Sequence, residues 1–210
     1  MKWIEEVPVP FLSQRSLKPN HLSITGLIFS LLSIPAYSYS LWLGGISVLV
    51  SGAIDTVDGC LARKANQQTP SGAFLDSILD RYSDFFAIFG IWLYFLFNPV
   101  NIHQRLITPL LLLFLTGSFL VSYSRARGEG LGLSVSLGYF GRAERVITLG
   151  AGSLIADLLV TFFPAQTWAS DRLFFIAILL LLAVGTHLTA LRRILFVLKS
   201  LDKLSKDRPE

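Results

Sequence analysis

The sequence predicts an all-α, polytopic membrane protein, on three observations. Hydrophobic residues make up 52% of the 210 positions and charged residues only 15%, where an ordinary soluble domain carries about a quarter charged residues. The mean hydropathy is +0.59 over the whole length, too apolar for a soluble globule of this size. Apolar runs of about 20 residues, the length that crosses a bilayer as helix, recur along the chain. The same composition excludes other classes. Leu, Ile, Val and Phe dominate, so the chain is not disordered. One cysteine, Cys60, excludes a disulfide scaffold. His21, His103 and His187 lie far apart, which argues against a structural zinc site.

The elements follow in order. Residues 1–21 mix acids and prolines with apolar positions, so no cleavable signal peptide is read there. Lys2, Trp3, Ile4, Val7, Phe11 and Leu12 predict a short interfacial segment, with an ordinary terminus as the alternative. Six spans are expected at about 22–43, 44–62, 74–97, 106–123, 146–163 and 173–191. Pro35 predicts a kink in the first, and the sixth is expected to continue as helix through Lys199. Residues 22–199 thus read as one six-helix domain and 200–210 as a tail. No internal repeat or low-complexity tract is seen.

Charge sets the expected orientation. With six spans, both termini share a side. That side receives Lys2, Arg15, Lys18, Arg63, Lys64, Arg125, Arg127, Arg142, Arg145, Arg192, Arg193 and the basic residues of the tail. The opposite loops receive only Arg105 and Arg172. This bias predicts a cell-membrane protein with cytoplasmic termini. The net charge of +4 is then a matter of topology and phosphate binding. No nucleic-acid module is present.

Five acids gather where a membrane helix should have none: Asp55, Asp58, Asp76, Asp80 and Asp84. An aspartate at the centre of a span costs roughly 2.5–3.5 kcal/mol on insertion scales, so a cation must compensate. Asp55 and Asp58 are spaced i,i+3, and Asp76 and Asp80 i,i+4, so each pair shares a helix face. Two antiparallel helices bring the four carboxylates together as an all-oxygen box suited to Mg²⁺, Mn²⁺ or Ca²⁺, with charge enough for two ions. The alternative is simple pairing with Arg63, Lys64 and Arg81. Gly59, Ala62 and Gly72 leave room for a bulky ligand or a close backbone. Arg63 is suited to a pair of phosphate oxygens. Metals, a guanidinium and open space describe a diphosphate site.

The stretch Asp55-Thr-Val-Asp58-Gly59-Cys-Leu-Ala62-Arg63, eight residues, then Gly72-Ala-Phe-Leu-Asp76-Ser-Ile-Leu-Asp80 resembles the signature of the CDP-alcohol phosphotransferase family at all of its defining positions. Pro19-Asn20-His21-Leu22-Ser23 resembles the family's entry to its first span. The resemblance covers nearly the whole chain and is weakest in spans five and six. It implies transfer of a substituted phosphate from a CDP-linked donor to an alcohol, with release of CMP. It implies that Asp55, Asp58, Asp76 and Asp80 bind two divalent ions, usually Mg²⁺ with Mn²⁺ as the alternative. Asp80 would also take the proton of the attacking hydroxyl. Asn20, Asp58, Gly59, Ala62, Arg63 and Gly72 would bind the CDP-linked lipid, and a homodimer is expected.

The acceptor is addressed by a second group of residues. Tyr123-Ser-Arg125-Ala-Arg127-Gly-Glu129 ends span four, Arg142-Ala-Glu144-Arg145 opens span five, and Arg193 lies near the cytoplasmic end of span six. By spacing alone these arginines fit a phosphate pocket or positive-inside anchoring equally. The segments resemble those of prokaryotic phosphatidylinositol-phosphate and archaetidylinositol-phosphate synthases. That resemblance implies an inositol phosphate acceptor held by Arg125, Arg127, Arg142 and Arg193, with Arg145 and Arg192 matching less closely. Gly128 departs from the pattern, where a small side chain such as Ala is more usual. Alternatives are a glycerol-3-phosphate acceptor, or a CDP-inositol donor that yields an inositol phosphodiester. An ion transporter is disfavoured, because the acids cluster towards one side and only Asp157 lies deep in the other half.

Overall fold

The structure is a computed structural model describing residues 19–64, 69–99 and 104–206. All regular structure among them is helical: α1 Pro19–Tyr39, α2 Leu41–Lys64, α3 Pro70–Phe97, α4 Gln104–Glu129, α5 Arg142–Phe162, α6 Thr167–Ser170 and α7 Leu173–Lys206. The expected interfacial segment lies outside the described residues up to position 18, and Pro19 already begins α1.

Helix ends depart from the apolar runs for local reasons. The first two helices divide at Ser40, not near Gly44. Ser40 Oγ accepts from Leu43 N at 3.1 Å, an N-cap for α2. Gly44 has another use: a Cβ there would sit 2.1 Å from ring carbons of Tyr37. Asp157 Oδ2 accepts from Trp42 N at 3.2 Å, so the acid deep in the far half caps α2. Helix α3 starts four residues before the expected span, because Thr69 caps it through Gly72 N at 3.0 Å and Pro70 fills the first turn. Helices α4, α5 and α7 likewise extend beyond their apolar stretches, to Glu129, from Arg142 and to Lys206. Hydropathy marks what lipid can cover, and a helix continues past it wherever polar residues are good helix formers.

Helix α1 packs on α2 and α3, α2 also on α5, and α4 on α7. Contacts of α5 with α7 and of α3 with α4 join the two groups. Some crossings are backbone-close. A Cβ on Gly45 of α2 would lie 2.8 Å from Gly150 O of α5, and one on Gly90 of α3 would lie 2.8 Å from Ser33 O of α1. Small residues at such crossings are how membrane helices gain packing without a hydrophobic driving force. The core, including Tyr37, Leu41, Ile91, Phe95, Phe175, Leu179 and Leu182, is fully buried.

The outside is apolar. Ile28, Leu31, Leu32, Leu112, Leu113, Leu180, Leu181 and Val184 are all exposed. So continuous an apolar surface does not suit water. Among the described residues, four helices are long and apolar enough to cross a membrane, at Leu41–Asp58, Arg105–Glu129, Arg142–Phe162 and Leu173–Lys206. Helices α1 and α3 have spanning length at 21 and 28 residues but fall outside that set. Helix α3 carries Asp76, Asp80, Arg81 and Asp84 towards its start.

Candidate active site

The end of α2, the start of α3 and the start of α5 converge. Asp55 comes from α2, Asp76 and Asp80 from successive turns of α3, and each offers an oxygen within 4.8 Å of the other two. Asp58 stands beside this trio, 7% exposed, with its charge acting on Asp76. The antiparallel arrangement of i,i+3 and i,i+4 pairs thus gathers three carboxylates closely and a fourth at their edge. An open groove of about 270 Å³ runs past them, lined by Gly26, Ser51, Asp55, Asp76, Asp80 and Arg142.

Cations already face the acids. Arg142, the first residue of α5, directs Nη1 to Asp55 Oδ2 in an ion pair and to Asp80 Oδ1 at 2.9 Å. Arg81 Nη1 lies 3.7 Å from Asp80 Oδ2 and donates to Ser77 O. One turn further along α3 and α5, Arg145 Nη2 donates to Asp84 Oδ2 at 2.8 Å, the arginine 3% and the aspartate 13% exposed. The arrangement is a ladder: Asp76, Asp80 and Asp84 follow one face of α3, and Arg142 and Arg145 follow the facing side of α5. The sequence expectation has Arg142 on the acceptor phosphate and gives Asp84 no role. The signal for the ladder lies in the i,i+4 continuation to Asp84 and the i,i+3 spacing of the two arginines.

The remaining expected residues fall into two groups. Gly72 lies at the groove end of α3, where a Cβ would meet only Thr69 Oγ1 at 3.0 Å. Asn20, Gly59, Ala62 and Arg63 lie on α1 and α2 by their backbone, and their surroundings are outside the described residues. Among the acceptor arginines, Arg193 is 6% exposed. Its Nε donates to Leu137 O at 2.6 Å and its Nη1 to Val121 O at 2.7 Å. The charges that act on it are balanced, Arg125 and Arg145 against Glu129 and Glu144. Arg125 pairs with Glu129 at 2.8 Å on the surface, and Arg127 is exposed. Arg192 lies 5.5 Å over the Tyr139 ring. The departure at Gly128 has a steric reason: a Cβ would lie 2.5 Å from Val135 Cγ2 and 3.0 Å from Val197 Cγ2.

The sequence profile of CDP-alcohol phosphatidyltransferases matches residues 17–200. The chain belongs to that family. This phosphatidyltransferase is 35% identical over 189 residues to an archaetidylinositol phosphate synthase of Methanothermobacter thermautotrophicus, covering 90% of this chain and 87% of that protein. It is 30% identical to a phosphatidylinositol phosphate synthase of Streptomyces avermitilis, covering 89% and 75%. Among solved structures it resembles Mycobacterium tuberculosis phosphatidylinositol phosphate synthase with CDP-DAG bound, with a TM-score of 0.71, 27% identity and 94% of each chain covered. The same enzyme in complex with manganese and citrate gives a TM-score of 0.73 at 28% identity, covering 90% and 86%. This phosphatidyltransferase is therefore a transferase of phospholipid synthesis and a metal-dependent CDP-alcohol phosphotransferase.

Proposed function

We propose that the enzyme transfers a phosphatidyl group, or its archaeal ether-lipid equivalent, from a CDP-linked lipid to inositol phosphate and releases CMP. The observation that carries the acceptor is Arg193, 6% exposed and held by Val121 O of α4 and by Leu137 O. Its buried guanidinium suits a charged acceptor better than a neutral alcohol. Names of the relatives support the same reading.

The carboxylates fit a hard divalent cation. Their donors are all oxygen, three converge within 4.8 Å, and a cation, the Arg142 guanidinium, is already held there. Asp55, Asp58, Asp76 and Asp80 would hold two Mg²⁺ ions, with Mn²⁺ as substitute. When bound, the ions neutralise the diphosphate and stabilise the CMP leaving group. Asp80 takes the proton of the acceptor hydroxyl. Asn20, Gly59, Ala62, Arg63 and Gly72 hold the CDP moiety. Arg125, Arg127, Arg142 and Arg193 hold the acceptor phosphate, which places its hydroxyl against the diphosphate. Helices α1 and α3 complete six spans, both termini and the site face the cytoplasm, and the enzyme is a homodimer.

An acceptor screen tests the assignment. Purified enzyme with CDP-diacylglycerol and Mg²⁺ should release CMP fastest with inositol phosphate, against glycerol-3-phosphate, serine and free inositol. Faster release with glycerol-3-phosphate would move the enzyme to phosphatidylglycerol phosphate synthesis.

A further inference from the structure

One nitrogen, Arg142 Nη1, serves both Asp55 and Asp80. Those carboxylates belong to the trio whose oxygens converge within 4.8 Å. Arg142 Nε is buried with no hydrogen-bond partner. A guanidinium with one well-used end and an unpartnered Nε is anchored by charge more than by geometry. Its neighbour Arg145 likewise has an unpartnered Nε but has a separate partner in Asp84 and also donates to Phe140 O at 3.4 Å.

We propose that Arg142 is an exchangeable counter-cation: it neutralises Asp55 and Asp80 until a divalent ion binds, and the ion displaces its side chain towards the acceptor arginines. The inference rests on the metal-dependent transferase reading and adds an order of events to it. A divalent ion bridging Asp55 and Asp80 needs oxygens at about 2.0–2.1 Å for Mg²⁺. Nη1 already engages one oxygen of each, so ion and guanidinium compete for the same two carboxylates. The two like charges also repel at that range. Because Arg142 sits at the first position of α5, its side chain can swing without disturbing the helix. Arg145, one turn on, stays fixed by Asp84. The arginine that recognises the acceptor's phosphate is thereby delivered only to a metal-loaded site. By linkage, each ligand that favours the swung-out position then favours the other.

Full-length enzyme in detergent, labelled with phenylglyoxal and read by peptide mass spectrometry, tests this without turnover. Labelling of Arg142 should rise about fivefold or more on adding Mn²⁺, while that of Arg145 stays low. Inositol phosphate added to the Mn²⁺-loaded enzyme should suppress the new labelling. Mn²⁺ affinity, measured by electron paramagnetic resonance, should tighten about tenfold in Arg142→Gln but less than about threefold in Arg81→Gln, which removes an equal charge beside Asp80. Unchanged Arg142 labelling in wild type that does bind Mn²⁺ overturns the exchange, whether or not the variants fold. Labelling that rises but is not suppressed by inositol phosphate overturns the delivery to the acceptor. Wild type that binds no Mn²⁺ overturns the metal-dependent reading along with it.

Discussion

Asp80 meets two guanidinium groups, Arg142 at 2.9 Å and Arg81 at 3.7 Å, and it is proposed both as ligand and as base. Asp80→Asn keeps the shape and one oxygen ligand but cannot take a proton. Turnover should fall by about 10²- to 10⁴-fold, while CDP-diacylglycerol binding, read by equilibrium titration, should survive in large part. Near-normal kcat would remove the base assignment. Arg193 makes a second test. Arg193→Ala should cut kcat/KM for the acceptor about ten- to a hundredfold, the loss of one charge-assisted bond, with donor KM little changed. It also gives up the bonds to Leu137 O and Val121 O, so Arg193→Lys separates the charge from the strap. At this scale the convergence of Asp55, Asp76 and Asp80 was legible, because i,i+3 and i,i+4 spacing decides which side chains share a face. The partner of Asp55 and Asp80 was not. Arg142 lies 62 residues beyond Asp80 and 87 beyond Asp55 in sequence, and only the approach of α5 to α2 and α3 brings them together.

The ladder of acids on α3 and arginines on α5 docks one element on the other. Its lower rung, Arg145 with Asp84, is 3% and 13% exposed. Removing one member of such a pair leaves an uncompensated buried charge and costs about 3–5 kcal/mol. Asp84→Asn should therefore lower the thermal unfolding midpoint of the detergent-solubilised enzyme, and combining it with Arg145→Gln should recover part of the loss. A double variant no better than the single one would show that the pair does not couple. The helices themselves were legible from apolar runs, and their ends were not. Gly44 looked like a break and is a seat for the Tyr37 ring, and the break falls at Ser40, whose hydroxyl caps α2. Pro70 and Thr69 announce the start of α3 by capping chemistry, a signal that hydropathy does not contain.

Over the whole molecule, apolar side chains cover the outside and charge gathers at one end. Four helices meet the length and hydropathy of a span. Helix α3 falls short because half of it is given to carboxylates and their arginines, so the catalytic residues themselves obscure its membrane character. The proposed orientation, with both termini in the cytoplasm, rests on the basic loops. A cysteine introduced near position 200 in a Cys60→Ala background should react with a membrane-impermeant thiol reagent only in inverted vesicles. Reaction in intact cells would reverse the orientation.

Glycine crossings make the frame around the carboxylates stiff. Helices α2 and α5 meet backbone to backbone at Gly45 and Gly150, and α3 meets α1 in the same way at Gly90. Such helices have no side-chain layer to compress and little room to part. If the scaffold sets the distance between Asp55 on α2 and Asp80 on α3, the proposed site should discriminate ions by radius. Mg²⁺ binds oxygen at about 2.0–2.1 Å and Ca²⁺ at about 2.3–2.6 Å. Enzyme stripped with EDTA should recover CMP release with Mg²⁺ or Mn²⁺, and Ca²⁺ should compete with them without supporting turnover. Ca²⁺ turnover at the Mg²⁺ rate would mean the frame yields. A site that refuses Ca²⁺ in this way runs its chemistry on the ion of the cell interior and stays idle on the one that is abundant outside.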